Sequence, residues 1–218
     1  MTLKEIHDFI LLVIDKEISG WVRPEDIDQA LDRSSMSIFR AMLKGYAKNQ
    51  EYQDALSPFK TPHVFTNTTS SAGVITLPEN YVHLLSITAL IFDNDTEANR
   101  QLPVEVVNAD ELAERLGSQL KPVTSNKPIA HFIGKGKLQL FPSKPAVGQV
   151  WYLKRPNKPE FKYTQSGRAV TYNPSTSVQL EWGEVETNAV IYQALQLLGV
   201  NLSDEQMVQY TQLKLSEA

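Results

Sequence analysis

Pro128-Ile129-Ala130-His131-Phe132-Ile133-Gly134-Lys135-Gly136-Lys137-Leu138-Gln139-Leu140-Phe141-Pro142, followed a few residues later by Gln149-Val150-Trp151-Tyr152-Leu153-Lys154-Arg155-Pro156, is the stretch on which the fold turns. Ile129 to Ile133 and Lys137 to Phe141 are β-rich runs, and the glycines of Gly134-Lys135-Gly136 accept the positive φ that a tight hairpin requires. Gln149 to Arg155 is a third strand. Val150 and Tyr152 point one way and Trp151 and Leu153 the other, so both of its faces are apolar and the strand is expected to be central. Pro142, Pro145, Pro156 and Pro159 cannot donate to a ladder and mark where the strands stop.

Outward from this β region the chain is helical at both ends. Thr2 and Glu5 form a capping-box pattern, and Leu3, Ile6, Phe9, Ile10, Val13 and Ile14 recur at helical spacing to about Ile18. Pro24, Glu25 and Asp26 open a second helix carrying Ile27, Leu31, Ile38 and Met42, interrupted by Ser34 and Ser35, with a further helical piece between Ala41 and Ala55. From Leu56, with Pro58 and Pro62, a loop is expected. Strands follow at Gly73 to Leu77 and Val82 to Phe92; Asp93 to Arg100 reads as a hairpin tip, Leu102 to Val107 as the returning strand, and Asn108 as the cap of a short helix over residues 109–116 closed by Gly117. Phe161 to Thr164, Ala169 to Tyr172 and Ser177 to Leu180 are short strand candidates. Thr187 to Leu202 contains no charge, so that helix is expected to be covered on nearly all sides, with Gly199 ending it. Ser203 and Gln206 then open a last helix with Met207, Tyr210 and Leu213 at steps of three.

The fold class expected is α+β: a helical bundle formed from both termini, residues 1–60 and 181–218, with an inserted antiparallel β module over residues 61–180. At 218 residues, 42% hydrophobic and 21% charged, the chain can bury a real core. The absence of cysteine removes disulfides and thiolate chemistry. The apolar run Phe9 to Ile14 is hemmed by charges and too short to span a bilayer, so neither a membrane anchor nor a signal peptide is expected.

Charge is unevenly distributed. The net charge is -4, yet His131 to Tyr172 holds eight basic residues (Lys135, Lys137, Lys144, Lys154, Arg155, Lys158, Lys162 and Arg168) against the single acid Glu160. From Asn173 onward there are six acids (Glu181, Glu184, Glu186, Asp204, Glu205 and Glu217) against Lys214. Opposite charge on two sides of a subunit suits it to meet copies of itself or a charged neighbour.

Catalytic signatures are missing from the sequence. Gly134-Lys135-Gly136-Lys137 lacks the spacing and hydroxyl of a nucleotide loop and reads as a turn. Asp93, Asp95 and Glu97 begin like a calcium loop but have Ala98 and Val104 where glycine and a bidentate glutamate are needed. His7, His63, His83 and His131 lie on separate elements without ligand spacing, so no metal or cofactor is expected. Glu181, Glu184 and Glu186 could act as paired carboxylates but read as the acidic first turn of a helix. Trp151, Tyr152, Phe161 and Tyr163 interleave with Lys154, Arg155, Lys158 and Lys162 as a single-strand platform would, which makes a nucleic-acid-binding module over residues 131–172 the alternative function.

Four stretches in fixed order carry a family resemblance: Leu77-Pro78-Glu79-Asn80-Tyr81-Val82-His83-Leu84-Leu85-Ser86-Ile87; Glu111 to Leu116 leading to Lys127-Pro128-Ile129-Ala130; Leu138 to Pro142 with Trp151 to Pro156; and Leu180-Glu181-Trp182 before Leu197 to Leu202. Together they resemble the ring-forming head-to-tail connector (adaptor, tail-hub or tubular) proteins of tailed bacteriophages, especially podovirus-like phages. The resemblance implies a non-enzymatic structural protein of the virion, made in the bacterial host cytoplasm and placed at the head-tail junction. Its implied partners are further copies in a closed ring, commonly twelvefold, the portal protein, a neighbouring tail or ring protein, and DNA passing through the channel without sequence-specific binding. Met207, Tyr210 and Leu213 are the expected docking segment. Lys154, Arg155 and Lys158 on one side, with Glu181, Glu184 and Glu186 on the other, are the expected charged contacts.

Overall fold

A computed structural model describes residues 1–17, 22–66, 73–93, 98–142, 147–166 and 169–200. The expected last helix with Met207, Tyr210 and Leu213, and residues 94–97 of the expected hairpin tip, lie outside the described residues. The fold is α+β, and the chain divides into two units: Met1–Pro58 with Pro156–Ala218, and the continuous insert Phe59–Arg155. The expected second seam, after Leu180, falls instead at Arg155/Pro156.

The first unit contains α1 (Leu3–Glu17), α2 (Pro24–Gly45), α3 (Gln50–Ala55) and, after the insert, α5 (Glu184–Leu197). The capping box at the start of α1 forms, with Thr2 N donating to Glu5 Oε2 at 2.9 Å and Glu5 N donating to Thr2 Oγ1 at 3.3 Å. Leu3, Ile6, Ile10, Val13 and Ile14 are buried along one face of α1. α2 runs unbroken through Ser34 and Ser35, which sit on its buried face beside Leu31 and Phe39. Small hydroxyl residues were expected to interrupt the helix; they mark where another element comes close. Trp182 Nε1 donates to Ser35 Oγ at 2.7 Å, and the Trp182 indole meets Phe39 edge-on at 6.5 Å between ring centroids.

α5 is not covered all round. Thr187, Val190, Ile191, Ala194 and Leu195 are buried, whereas Val185, Asn188, Ala189, Gln196 and Leu197 are exposed. Burial follows a helical stripe although the open face from Asn188 onward carries no charge, so absence of charge was the wrong proxy for enclosure. Gly199 ends the helix at φ 90°, with Gly199 N donating to Gln196 O and Val200 N to Leu195 O. That is the paired closing pattern which a left-handed residue permits.

The insert holds two four-stranded sheets around one core. The first has the order β1 (Lys60–Thr66), β8 (Val147–Lys154), β3 (Tyr81–Asp93), β4 (Ala98–Pro103); the second has β2 (Val74–Thr76), β7 (Lys137–Phe141), β6 (Ile129–Gly134), β5 (Glu105–Val107). Phe65, Ile75, Ile87, Ala89, Ala130, Leu138, Leu140 and Val150 meet in its interior. The β6–β7 hairpin turns at Gly136 with φ 68°, and β8 is internal to its sheet, as expected.

Three strand expectations are corrected. Lys60 to Thr66, expected as loop because of Pro62, is strand β1; as an edge strand it tolerates a proline whose nitrogen faces outward. Leu102 to Val107 does not return as one strand. β4 pairs with β3 only to Pro103, then the chain crosses at Val104, whose N–H bonds Ile87 O, and β5 joins the other sheet. There β5 pairs parallel with β6, the connection running through α4 (Ala109–Gly117), so one pair in the module is not antiparallel. Asn108 sits at the cap position of α4 without making a side-chain cap bond. Ser177 to Leu180 forms only a single bridge, Glu160 to Val178, while β9 (Tyr163–Ser166) and β10 (Ala169–Tyr172) pair as a two-stranded sheet of their own.

Candidate functional site

Two places in the sequence's functional region are built more elaborately than support alone requires: the polar anchor of segment 156–183 within the first unit, and the open strand edge of the insert.

The anchor begins from a sequence irregularity. His7 falls on the apolar stripe of α1, and Asp28 beside Ile27 on that of α2; both are buried. His7 Nε2 and Asp28 Oδ1 lie 2.9 Å apart, and Asp28 Oδ2 accepts from the backbone N–H of Phe161 at 2.8 Å. The Phe161 ring stacks on the His7 imidazole at 4.4 Å and against Tyr172 at 4.7 Å. One carboxylate thus ties two helices to a returning segment, and both of its oxygens are used. Phe161 covers one face of the imidazole, and His7 is 2% exposed. Beside it lies a cleft of about 350 Å³ lined by acids and bases together, Glu25, Asp28, Lys158, Glu160 and Lys162 among them.

Within that cleft Lys162 Nζ lies 2.9 Å from Glu160 Oε2. Hydrogen bonding and the charge of Lys162 hold the Glu160 carboxyl below its usual range, and the same pairing raises Lys162. Tyr163 donates its hydroxyl to Glu25 Oε1 at 3.3 Å.

Of the expected charged contacts, Lys154 ends β8 and Arg155 follows it in the insert, while Lys158 is exposed in the first unit. Glu181 does not belong to the first turn of α5: its Oε2 accepts from Asn157 N at 3.0 Å and its Oε1 from Asn157 Nδ2 at 3.1 Å. Glu184 and Glu186 do form the acidic first turn of α5, with Glu184 exposed. Acidic and basic segments therefore touch inside one molecule along residues 157–162 and 177–181. Charge is better counted by unit: the insert holds ten bases and eight acids, a net +2, which leaves -6 of the total -4 to the helical unit.

The four aromatics of the expected platform differ in exposure. Tyr152 is buried, with its hydroxyl donating to Asn80 Oδ1 at 3.1 Å, and Phe161 is consumed by the His7 stack. Trp151 and Tyr163 keep partly exposed rings in different units. Of the histidines, His131 Nδ1 lies 3.2 Å from Val107 O, and among the described residues no cluster of three metal-ligating side chains occurs. His83 is shifted below its usual range by partial removal from water.

The strand edge follows from the ladder. Arg155 N donates to Asn80 O, so odd-numbered residues of β8 face β3 and even-numbered ones face β1. Val150 opposes His63 and Gly148 opposes Phe65, which makes His63 and Phe65 the residues bonded to β8. Pro62, Val64 and Thr66 then turn their backbone groups away from the sheet, as the missing N–H of Pro62 independently requires. Val64 is also 63% exposed. Sequence reasoning missed both features. The signals available were a histidine and an aspartate on apolar helical stripes, and a β-branched residue two places after an edge-compatible proline.

No family model matches the chain, and no curated protein matches it.

Proposed function

We propose that this chain is a non-enzymatic subunit of a closed ring at the head-tail junction of a tailed phage, joining portal to tail and lining part of the DNA path. The observation that carries the reading is the fixed order of the four quoted stretches from Leu77 to Leu202. Its organisation supports it: segments on both sides of the insert contribute helices to one unit, with a β unit inserted between them. A head-to-tail ring needs two unlike complementary surfaces on each protomer; the expected segregation of charge between residues 131–172 and 173–218 does not supply them, because 157–162 and 177–181 lie side by side in one unit.

The test is mass measurement of the purified chain, alone and with portal protein, across a salt series, with electron microscopy of the largest species. Closed rings or a portal complex, weakened by salt, are the expected result. A chain that stays monomeric in both settings and binds single-stranded DNA with a steep salt dependence overturns the reading in favour of a nucleic-acid module. Deleting residues 203–218 is expected to leave a folded protomer that no longer docks; undiminished docking would remove Met207, Tyr210 and Leu213 from the interface.

A further inference from the structure

The outer side of the insert's first sheet is open and neutral, and neither the core nor the ring reading uses it. Register fixes its membership. Phe65, Ile87, Ala89 and Val150 face the core, so the positions alternating with them face out. Two cross-strand rows lie at its centre: Pro62, Trp151 and Ser86, and beside them Val64, Gln149 and Thr88. Thr66, Val147 and Leu90 continue the face in a third row, again without charge. The first titratable side chains met in the other direction are Lys60 and His83, in the row of the buried Leu153. Trp151 is 38% exposed although it sits on the internal strand β8. Among the described residues its indole N–H has no hydrogen bond, nor does the Gln149 amide two places before it, nor the Ser86 hydroxyl opposite it.

We propose that this face binds a neutral glycan, with one sugar ring laid on the Trp151 indole and its hydroxyls bonded by Gln149 and Ser86. The contact goes beyond the ring reading and does not rest on it. An indole offers a broad apolar surface with one N–H at its edge, which suits the C–H face of a pyranose. A primary amide and a hydroxyl each donate and accept, as every sugar hydroxyl does. The same neutrality disfavours other occupants. A single nucleic-acid strand needs cations along its phosphates as well as a stacking ring, and Lys154 falls on the opposite side of β8, with Tyr152. A second copy needs area. At about 4.8 Å between strands and about 6.8 Å between rows, three rows on three strands cover roughly 300 Å², well under half of the ~800 Å² per partner of a stable protein interface.

The experiment titrates the full chain with cellotriose, maltotriose and N-acetylchitotriose by calorimetry, beside an array of neutral glycans. Indole N–H NMR resonances, with that of Trp151 assigned through Trp151→Thr, report where binding occurs. At least one neutral glycan is expected to bind and to move the Trp151 resonance. Trp151→Thr is expected to weaken that binding about tenfold and Gln149→Ala about threefold. Circular dichroism reports whether each variant is folded, and Gln149→Ala decides alone if Trp151→Thr is not. Glycan binding that is unchanged in the folded variants overturns the assignment, as does a Trp151 resonance that no glycan moves. A resonance moved by oligothymidylate and by no sugar overturns it in favour of a nucleic-acid strand. Self-association of the wild-type chain that is lost in folded Trp151→Thr overturns it in favour of a contact between copies.

Discussion

At the scale of residues, neighbouring side chains of the same type do opposite things. Ser34 and Ser35 are adjacent on α2 and both fully buried, but Ser35 accepts the Trp182 indole N–H while Ser34 Oγ has no partner among the described residues. Ser35→Ala strands a buried donor and is expected to cost about 2 kcal/mol in urea unfolding, whereas Ser34→Ala removes an unsatisfied hydroxyl and is expected to be neutral or stabilising. Equal midpoints for the two variants would refute the assignment. On the surface, the lowered Glu160 and raised Lys162 define a window. A carboxyl whose folded pKa is depressed contributes above the ordinary glutamate range and loses that contribution as pH falls through the lowered value. A lysine raised by its partner contributes below the ordinary lysine range and loses it as pH rises through the raised value. Both groups are exposed, so global stability changes little and the direct readout is a carboxyl NMR titration. Lys162→Met is expected to move the Glu160 midpoint upward; an unmoved midpoint means the pair does not persist in solution.

At the scale of elements, the packing of the first sheet depends on a glycine that the strand pattern gives no reason to keep. Gly148 in β8 lies opposite Phe65 on one side and Ala89 on the other, and a Cβ there would overlap the Phe65 ring and the Thr88 carbonyl oxygen. Gly148→Ala is expected to lower stability by about 3 kcal/mol, as overpacking against backbone does, while Gly117→Ala at the open end of α4 stays within about 0.5 kcal/mol. Thermal unfolding of the two variants separates the cases. The same contrast explains what was legible in the sequence. The β6–β7 hairpin, the internal position of β8, the capping box of α1 and the end of α5 at Gly199 rest on rules that act over four or five residues, and they are found as expected. The strand at Pro62, the crossing at Val104, the exposed face of α5 and the serines of α2 depend on which element lies alongside, information that short-range periodicity does not contain. The candidate site was less legible still. Asp28 is recognisable only once Phe161, 133 residues away, is placed against it. Glu181 left the helix-capping role for a clasp with Asn157 through a fold-back that its own neighbours do not encode.

For the whole molecule, the decisive feature is how the insert enters and leaves. Lys60, the first residue of β1, pairs across the ladder with Leu153, one before the end of β8, so the two ends of Phe59–Arg155 emerge side by side, about 5 Å apart between opposed Cα atoms. An insert with adjacent ends imposes almost no span on its host, which is the geometry that tolerates excision. Its interior is drawn from its own strands, Phe65 and Ile75 through Leu140 and Val150. Residues 59–155 produced alone are therefore expected to unfold in one cooperative transition. The helical unit with Pro58 joined to Pro156 through a short glycine-serine linker is expected to keep its helical circular dichroism and the Trp182–Ser35 contact, read by the shielding of the indole from a soluble quencher. An indole as open to the quencher as free tryptophan means that the helical unit does not hold its fold alone.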